Sequence, residues 1–214
     1  MKLLFIHRSV GQQIIDCVRT NQSFSELELY DFNANNNNLT DSMRSITKCS
    51  PLSVLSGDTS PSGLARFFQK ASTEGPISEC LIEFDIIAFK SCYSANNIHS
   101  KDQLASYKKA YRGSIAAYIA NHPKKIFIIT SPPPRRSLFT NKKSRLFAKE
   151  YSIWLSTFAN TKPNCAYLNL FDALSEKEVL ARKLCRYLPW DQHPNRRGAE
   201  TATDCFIQTL KELQ

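Results

Sequence analysis

Two residues from opposite ends of the chain are of the types that carry acyl-transfer chemistry. Ser9 follows Leu3-Leu4-Phe5-Ile6-His7-Arg8 and precedes Val10-Gly11. His193 lies in Asp191-Gln192-His193-Pro194-Asn195, just after Pro189. A serine hydroxyl becomes a nucleophile when an adjacent base takes its proton. An imidazole fixed in a proline-bounded loop suits that role. Asp191, two positions earlier, either orients the imidazole or caps a turn. Ser9 has a plainer role open to it, because serine is a favoured helix N-cap. Among the other histidines, His99 and His122 fall by helix ends and face water, and His7 can point either way.

For Ser9 and His193 to meet, the fold must bring them to one rim. The apolar run Leu3–Ile6 reads as a strand, and Gln12 to Val18 has helical spacing. Ser9 then sits on the turn at the C-terminal end of the strand, where open α/β sheets bind ligands. Glu26-Leu27-Glu28-Leu29-Tyr30 alternates like a strand. Phe84–Phe89 and Lys125–Thr130 are nearly unbroken apolar runs, as in parallel strands covered on both faces. Cys165–Leu170 reads as the last strand. Helices are predicted over about 61–71, 101–121, 142–159 and 197–213, with a broken helical segment across 171–184. Between Asp31 and Pro61 lie four consecutive asparagines and no firm periodicity, though Leu52–Leu55 reads as a short strand. Strands alternating with helices imply right-handed crossovers and a parallel α/β sheet of about five strands, in one domain over residues 1–214.

Composition narrows the function classes. The chain has 214 residues, of which 42% are hydrophobic, enough for a sizeable core. Its net charge is +9, from 28 Lys and Arg against 19 Asp and Glu. The positive residues are scattered as pairs such as Lys108-Lys109 and Arg135-Arg136, which favours a basic globular protein over a nucleic-acid module. The apolar run before His7 is too short for a leader or a membrane span. Seven widely spaced cysteines with no C-x-x-C motif argue against a zinc knuckle and suit a reducing, cytoplasmic setting.

With these motifs in element order along nearly the whole chain, the sequence resembles the SGNH (GDSL-like) hydrolases. His7-Arg8-Ser9-Val10-Gly11 resembles a His-x-Ser-x-Gly variant of their first motif, and Asp191-Gln192-His193-Pro194-Asn195 is similar to their closing motif. Tyr30-Asp31-Phe32-Asn33, the run Asp58-Thr59-Ser60-Pro61-Ser62-Gly63-Leu64 and Phe89-Lys90-Ser91-Cys92-Tyr93 look like a bacterial subgroup. Three departures stand out. No Gly-Asp precedes Ser9. Ser91-Cys92-Tyr93-Ser94-Ala95-Asn96-Asn97 replaces Gly-x-Asn-Asp. The closing motif has Asp-x-His, one residue shorter than the common spacing.

The resemblance implies a three-layer, flavodoxin-like fold and a serine esterase or deacylase acting on a small-molecule or carbohydrate acyl ester, with no metal, cofactor, nucleic acid or membrane required. Ser9 would be the nucleophile, His193 the base and Asp191 its partner. Oxyanion donors would come from the Ser9 N–H, from Gly57, whose backbone can approach closely, and from the Asn96 or Asn97 amide, which equally fit a turn or an N-cap. Lys90 would either bind an anionic group or pair with Asp31 or Asp58. Cys92 is a rival nucleophile unless it is buried. The altered motifs also leave open a non-catalytic binding protein for an anionic ligand.

Overall fold

The computed structural model describes residues 1–20, 27–41 and 43–213. Strand β1 (Lys2–His7) is followed by helix α1 (Val10–Thr20) and strand β2 (Glu28–Asn33). Glu26, the first residue of the expected second strand, lies outside the described residues. The chain then runs through β3 (Asn38–Thr40), β4 (Ile46–Lys48), α2 (Pro61–Ala71), α3 (Gly75–Ile82) and β5 (Ile86–Lys90). Helices α4 (Lys101–Ala110) and α5 (Ala116–Asn121) are joined by a wide turn at Tyr111–Ile115, where Gly113 leaves helical geometry. Then come β6 (Ile126–Thr130), α6 (Lys142–Asn160), β7 (Cys165–Leu168), α7 (Leu170–Leu174), β8 (Ser175–Glu176), β9 (Val179–Leu180) and α8 (Arg196–Lys211).

Five strands are parallel, in the order β2-β1-β5-β6-β7, and β3 and β4 extend the β2 edge as an antiparallel hairpin. That order is the flavodoxin-like one, with its switch point between β1 and β5. The side-chain alternation of β1 explains the layers. Leu4 and Ile6 enter a core with Phe67 and Phe68 of α2, Leu104 of α4 and Tyr151 of α6. Leu3 and Phe5 enter a second core with Ile14 of α1 and Phe206 of α8. Each such side chain, fully withdrawn from water, contributes about 1.5–3 kcal/mol. The result is a mixed α/β, three-layer sandwich with helices on both faces of a mostly parallel sheet.

Several local expectations give way to tertiary structure. Leu52–Leu55 is part of a 3-10 turn, Pro51–Leu55, because Pro51 opens it and Ser53 N bonds back to Ser50 O. The asparagine run ends in β3, the inner strand of the hairpin, which lies between β2 and the edge strand β4 and is half-exposed along its length. Helix α3 had no sequence counterpart. The last strand stops at Leu168, since Asn169 turns to cap α7 by accepting from Asp172 N. The segment 171–184 is helical at its two ends, in α7 up to Leu174 and in a 3-10 turn at Arg182–Leu184, and the hairpin β8–β9 fills the break between them. Its two turn residues, Lys177 and Glu178, both take positive φ, 53° and 61°.

Candidate active site

Ser9 occupies the turn between β1 and α1, at the switch point, with φ 52°. A non-glycine residue in this left-handed region costs about 1–3 kcal/mol and marks a position held by its surroundings. It also differs from the extended conformation of an N-cap. Gly11 makes the turn possible. A Cβ there would sit 2.3 Å from His7 Cβ, so α1 packs directly on the end of β1.

His7 itself is fully buried under α1. Its Nε2 lies 3.1 Å from Asp31 Oδ2, and Arg19 Nη2 lies 2.6 Å from Asp31 Oδ1. Burial pulls the His7 imidazole below its ordinary value, more strongly than Asp31 raises it. This His7–Asp31–Arg19 chain locks β1, β2 and α1 together beneath Ser9. The sequence offered no sign of it beyond the apolar neighbours of His7.

The other half of the site arrives on the loop before α8. Asn195 caps that helix by accepting from Gly198 N, and its amide donates to Lys183 O and Cys185 O. Gln13 of α1 donates to Pro194 O at 3.3 Å, tying this loop to the helix behind Ser9. The hydroxyl of Ser9 is in hydrogen-bond contact with His193 Nε2. On the far side of the ring, Nδ1 lies 2.7 Å from Asp191 Oδ1, and the same oxygen accepts from His193 N at 2.9 Å. Asp-x-His is therefore long enough, because the carboxylate folds back over its own turn. Arg186 Nη1 donates to the other Asp191 oxygen at 3.1 Å. Burial would raise the Asp191 carboxyl, but the His193 and Arg186 hydrogen bonds outweigh it and hold the group below its ordinary range. The Tyr93 ring meets the imidazole edge-on at 5.8 Å between centroids.

Chemically, a hydroxyl, an imidazole and a carboxylate in this order can move a proton from oxygen to nitrogen. The Ser9 N–H and Gly57 N–H enter none of the backbone hydrogen bonds of their turns among the described residues. Gly57, at φ 74°, is placed next to the site by Arg8, whose guanidinium donates to Gly57 O and, at 2.6 Å, to Asn35 Oδ1.

The remaining expected site residues land differently. Both amide donors of Asn96 are committed, to Pro132 O at 2.7 Å and Pro133 O at 2.8 Å, so this buried side chain braces the proline segment after β6. Asn97 is half-buried and ends the 3-10 turn Tyr93–Asn96 by donating its N–H to Ser94 O. Lys90 is wholly buried at the end of β5 and donates to Ser91 O, out of reach of a ligand. It pairs with neither expected carboxylate: Asp31 is taken by His7 and Arg19, and Asp58 by Arg66. Burial lowers the Lys90 ammonium from 10.5 to about 8. Cys92 is buried, at 7% exposure, and it is Ser9 that meets the His193 ring, which removes Cys92 as a rival nucleophile toward an ester. Among the described residues no group of three or more His, Cys, Asp or Glu side chains could hold a metal ion, and no helix is long and apolar enough to cross a membrane.

The fold is the three-layer one of SGNH-type esterases and lipases. A lipase from a goat rumen metagenome superposes with a TM-score of 0.62 at 11% identity, covering 98% of this chain and 97% of the other. An acetylxylan esterase from Geobacillus stearothermophilus gives 0.56 at 14%, covering 98% and 93%. Catalytic mutants of that esterase replace a serine and a histidine by alanine. A salicylyl-acyltransferase of a tetracycline biosynthetic pathway gives 0.51 at 13%, with 99% of this chain on 54% of that one. Identities this low establish a shared fold. No protein-family model and no curated protein matches the sequence.

Proposed function

We propose that residues 1–214 form one serine-dependent ester hydrolase domain, with Ser9 as nucleophile, His193 as base and Asp191 as the group that orients it. The observation that carries this reading is the continuous contact from the Ser9 hydroxyl through the His193 ring to Asp191. Ser9 Oγ attacks the ester carbonyl carbon while His193 Nε2 takes its proton. The oxyanion so formed accepts from the Ser9 and Gly57 N–H groups. Collapse expels the alcohol, which takes the proton from Nε2. Water repeats the cycle on the acyl-enzyme and releases the acid.

Two exposed aromatic side chains on the loop that carries His193, Tyr187 and Trp190, offer flat apolar faces to solvent. With the acetylxylan esterase among the structural neighbours, they favour a carbohydrate or similar small alcohol as the leaving part. Seven free thiols suit a reducing, cytoplasmic setting.

One observation favours a second reading, a binding protein for an anionic ligand: the Asn96 amide is spent on proline carbonyls and gives no side-chain donor to an oxyanion. A fluorophosphonate probe separates the two. The enzyme reading expects labelling at Ser9, and loss of p-nitrophenyl acetate turnover in Ser9→Ala. Unchanged turnover in that variant, or an unlabelled native protein, refutes it.

A further inference from the structure

Positive charge gathers without a paired acid around one cavity of the described residues. A cavity of about 460 Å³ lies between the segment after β6, the hairpin β8–β9 and the start of the catalytic loop. Arg136, Arg145, Lys177 and Arg182 line it, against a single acid, Glu176. None of the four cations is ion-paired among the described residues. Arg145 Nε is buried with no hydrogen-bond partner. A buried guanidinium donor left unsatisfied is costly, and an anion beside it removes the cost. The hairpin is also held at a price in backbone energy. Its turn, Lys177-Glu178, has both residues left-handed, a conformation usually given to Asn-Gly. Glu178 is pinned to Lys149 of α6 at 3.3 Å, which leaves Lys177 for the cavity.

We propose that this cavity binds a phosphate-type dianion. The site stands apart from the Ser9 reading and survives its failure. Arg136 connects it to the loop of His193, since its Nη1 donates to Arg186 O, Leu188 O and Asp191 O, at 3.2, 2.6 and 3.0 Å. The dianion is either free or part of a phosphorylated substrate.

Titration calorimetry of the whole chain with orthophosphate at low ionic strength tests the site. Saturable one-to-one binding is expected. It should weaken at least about tenfold in the exposed double variant Lys177→Ala/Arg182→Ala, as loss of two charge-assisted contacts requires. The control Lys108→Ala/Lys109→Ala, on α4, should bind as the native chain does. No saturable binding, or equal weakening in both double variants, overturns the proposal. Kinetics then assign the source. If the phosphate belongs to the substrate, the first double variant loses kcat/KM on an acetylated sugar phosphate and not on the neutral acetylated sugar. Equal behaviour on the two esters assigns the site to the free anion.

A separate observation carries a second inference. Cys49, between β4 and the 3-10 turn, and Cys80 of α3 bring their sulfurs to 3.8 Å. Their hydrogen bond lowers the Cys49 thiol and raises that of Cys80, so Cys49 is the nucleophilic partner. We infer that hydrogen peroxide converts this pair to a disulfide. The Cys49 thiolate takes one oxygen atom from peroxide, releasing hydroxide and leaving a sulfenic acid. The Cys80 sulfur then displaces that oxygen as water, and both thiol protons end in water. Peptide mapping after mild peroxide treatment should find Cys49 and Cys80 joined, and a reductant should restore seven free thiols. Cys80→Ser should instead accumulate sulfenic or sulfinic acid at Cys49. Recovery of both thiols free, or of each oxidised separately in the native chain, refutes the pairing.

Discussion

Replacing Lys90 by methionine should make the protein more stable at neutral pH. The side chain is fully buried at the end of β5 and donates to Ser91 O at 3.3 Å, and among the described residues no carboxylate pairs with it. Burial lowers its pKa from 10.5 to about 8, so below pH 8 the folded chain holds a charge that water would solvate better. At about 1.4 kcal/mol per pH unit the displacement amounts to about 3 kcal/mol. Methionine has a similar reach and no charge, and loses only a hydrogen bond of about 1 kcal/mol. The variant should therefore gain about 2 kcal/mol at pH 7, or about 4–8 °C in Tm for a chain of this size. The pH dependence carries the sign. Between pH 8 and 10.5 the unfolded chain keeps the lysine proton and the folded chain does not. Native stability therefore rises with pH across that window, while the methionine variant has no such contribution. Urea melts of both proteins from pH 7 to 10.5 measure the gap directly. A variant less stable at pH 7, or a gap that does not narrow by pH 10.5, refutes the account of an uncompensated buried ammonium.

Asp191→Asn keeps the loop geometry but no longer favours the imidazole tautomer that accepts from Ser9, and turnover of p-nitrophenyl acetate should fall by about 10²–10⁴-fold. A loss below tenfold in steady-state kinetics removes Asp191 from the mechanism. Gly11→Ala drives a methyl group into His7 at 2.3 Å, and the backbone shift should cost about 3 kcal/mol in chemical denaturation. An alanine variant as stable as the native chain contradicts the close packing of α1 on β1. Asp31→Asn leaves Arg19 and the buried end of β1 without their carboxylate, a loss of about 3–5 kcal/mol. Thermal melting within a degree or two of the native protein would count against that network.

Much of the architecture was legible in local patterns. Buried parallel strands are continuous apolar runs, so β5 and β6 stood out within a residue or two at each end. Elements that lie half in water carry no such period. Strands β3 and β4 are three residues each, and Ile46 is 64% exposed, so their hairpin had no alternation to read. The hairpin β8–β9 was hidden because its turn is Lys177-Glu178 instead of a glycine-bearing pair.

The same division runs through the site. Sequence alone determined the parallel α/β class, the end of β1 as the place for Ser9, and the chemical types of Ser9, His193 and Asp191, because these follow from short-range periodicity and loop composition. Only the tertiary structure decided that Asn96 braces Pro132 and Pro133, that Lys90 is sealed inside, and that His7, Asp31 and Arg19 form one chain. Each of those depends on partners distant in the chain. The direction a polar side chain takes is set by which donors and acceptors the packed strands and helices leave unsatisfied, and no local pattern records that.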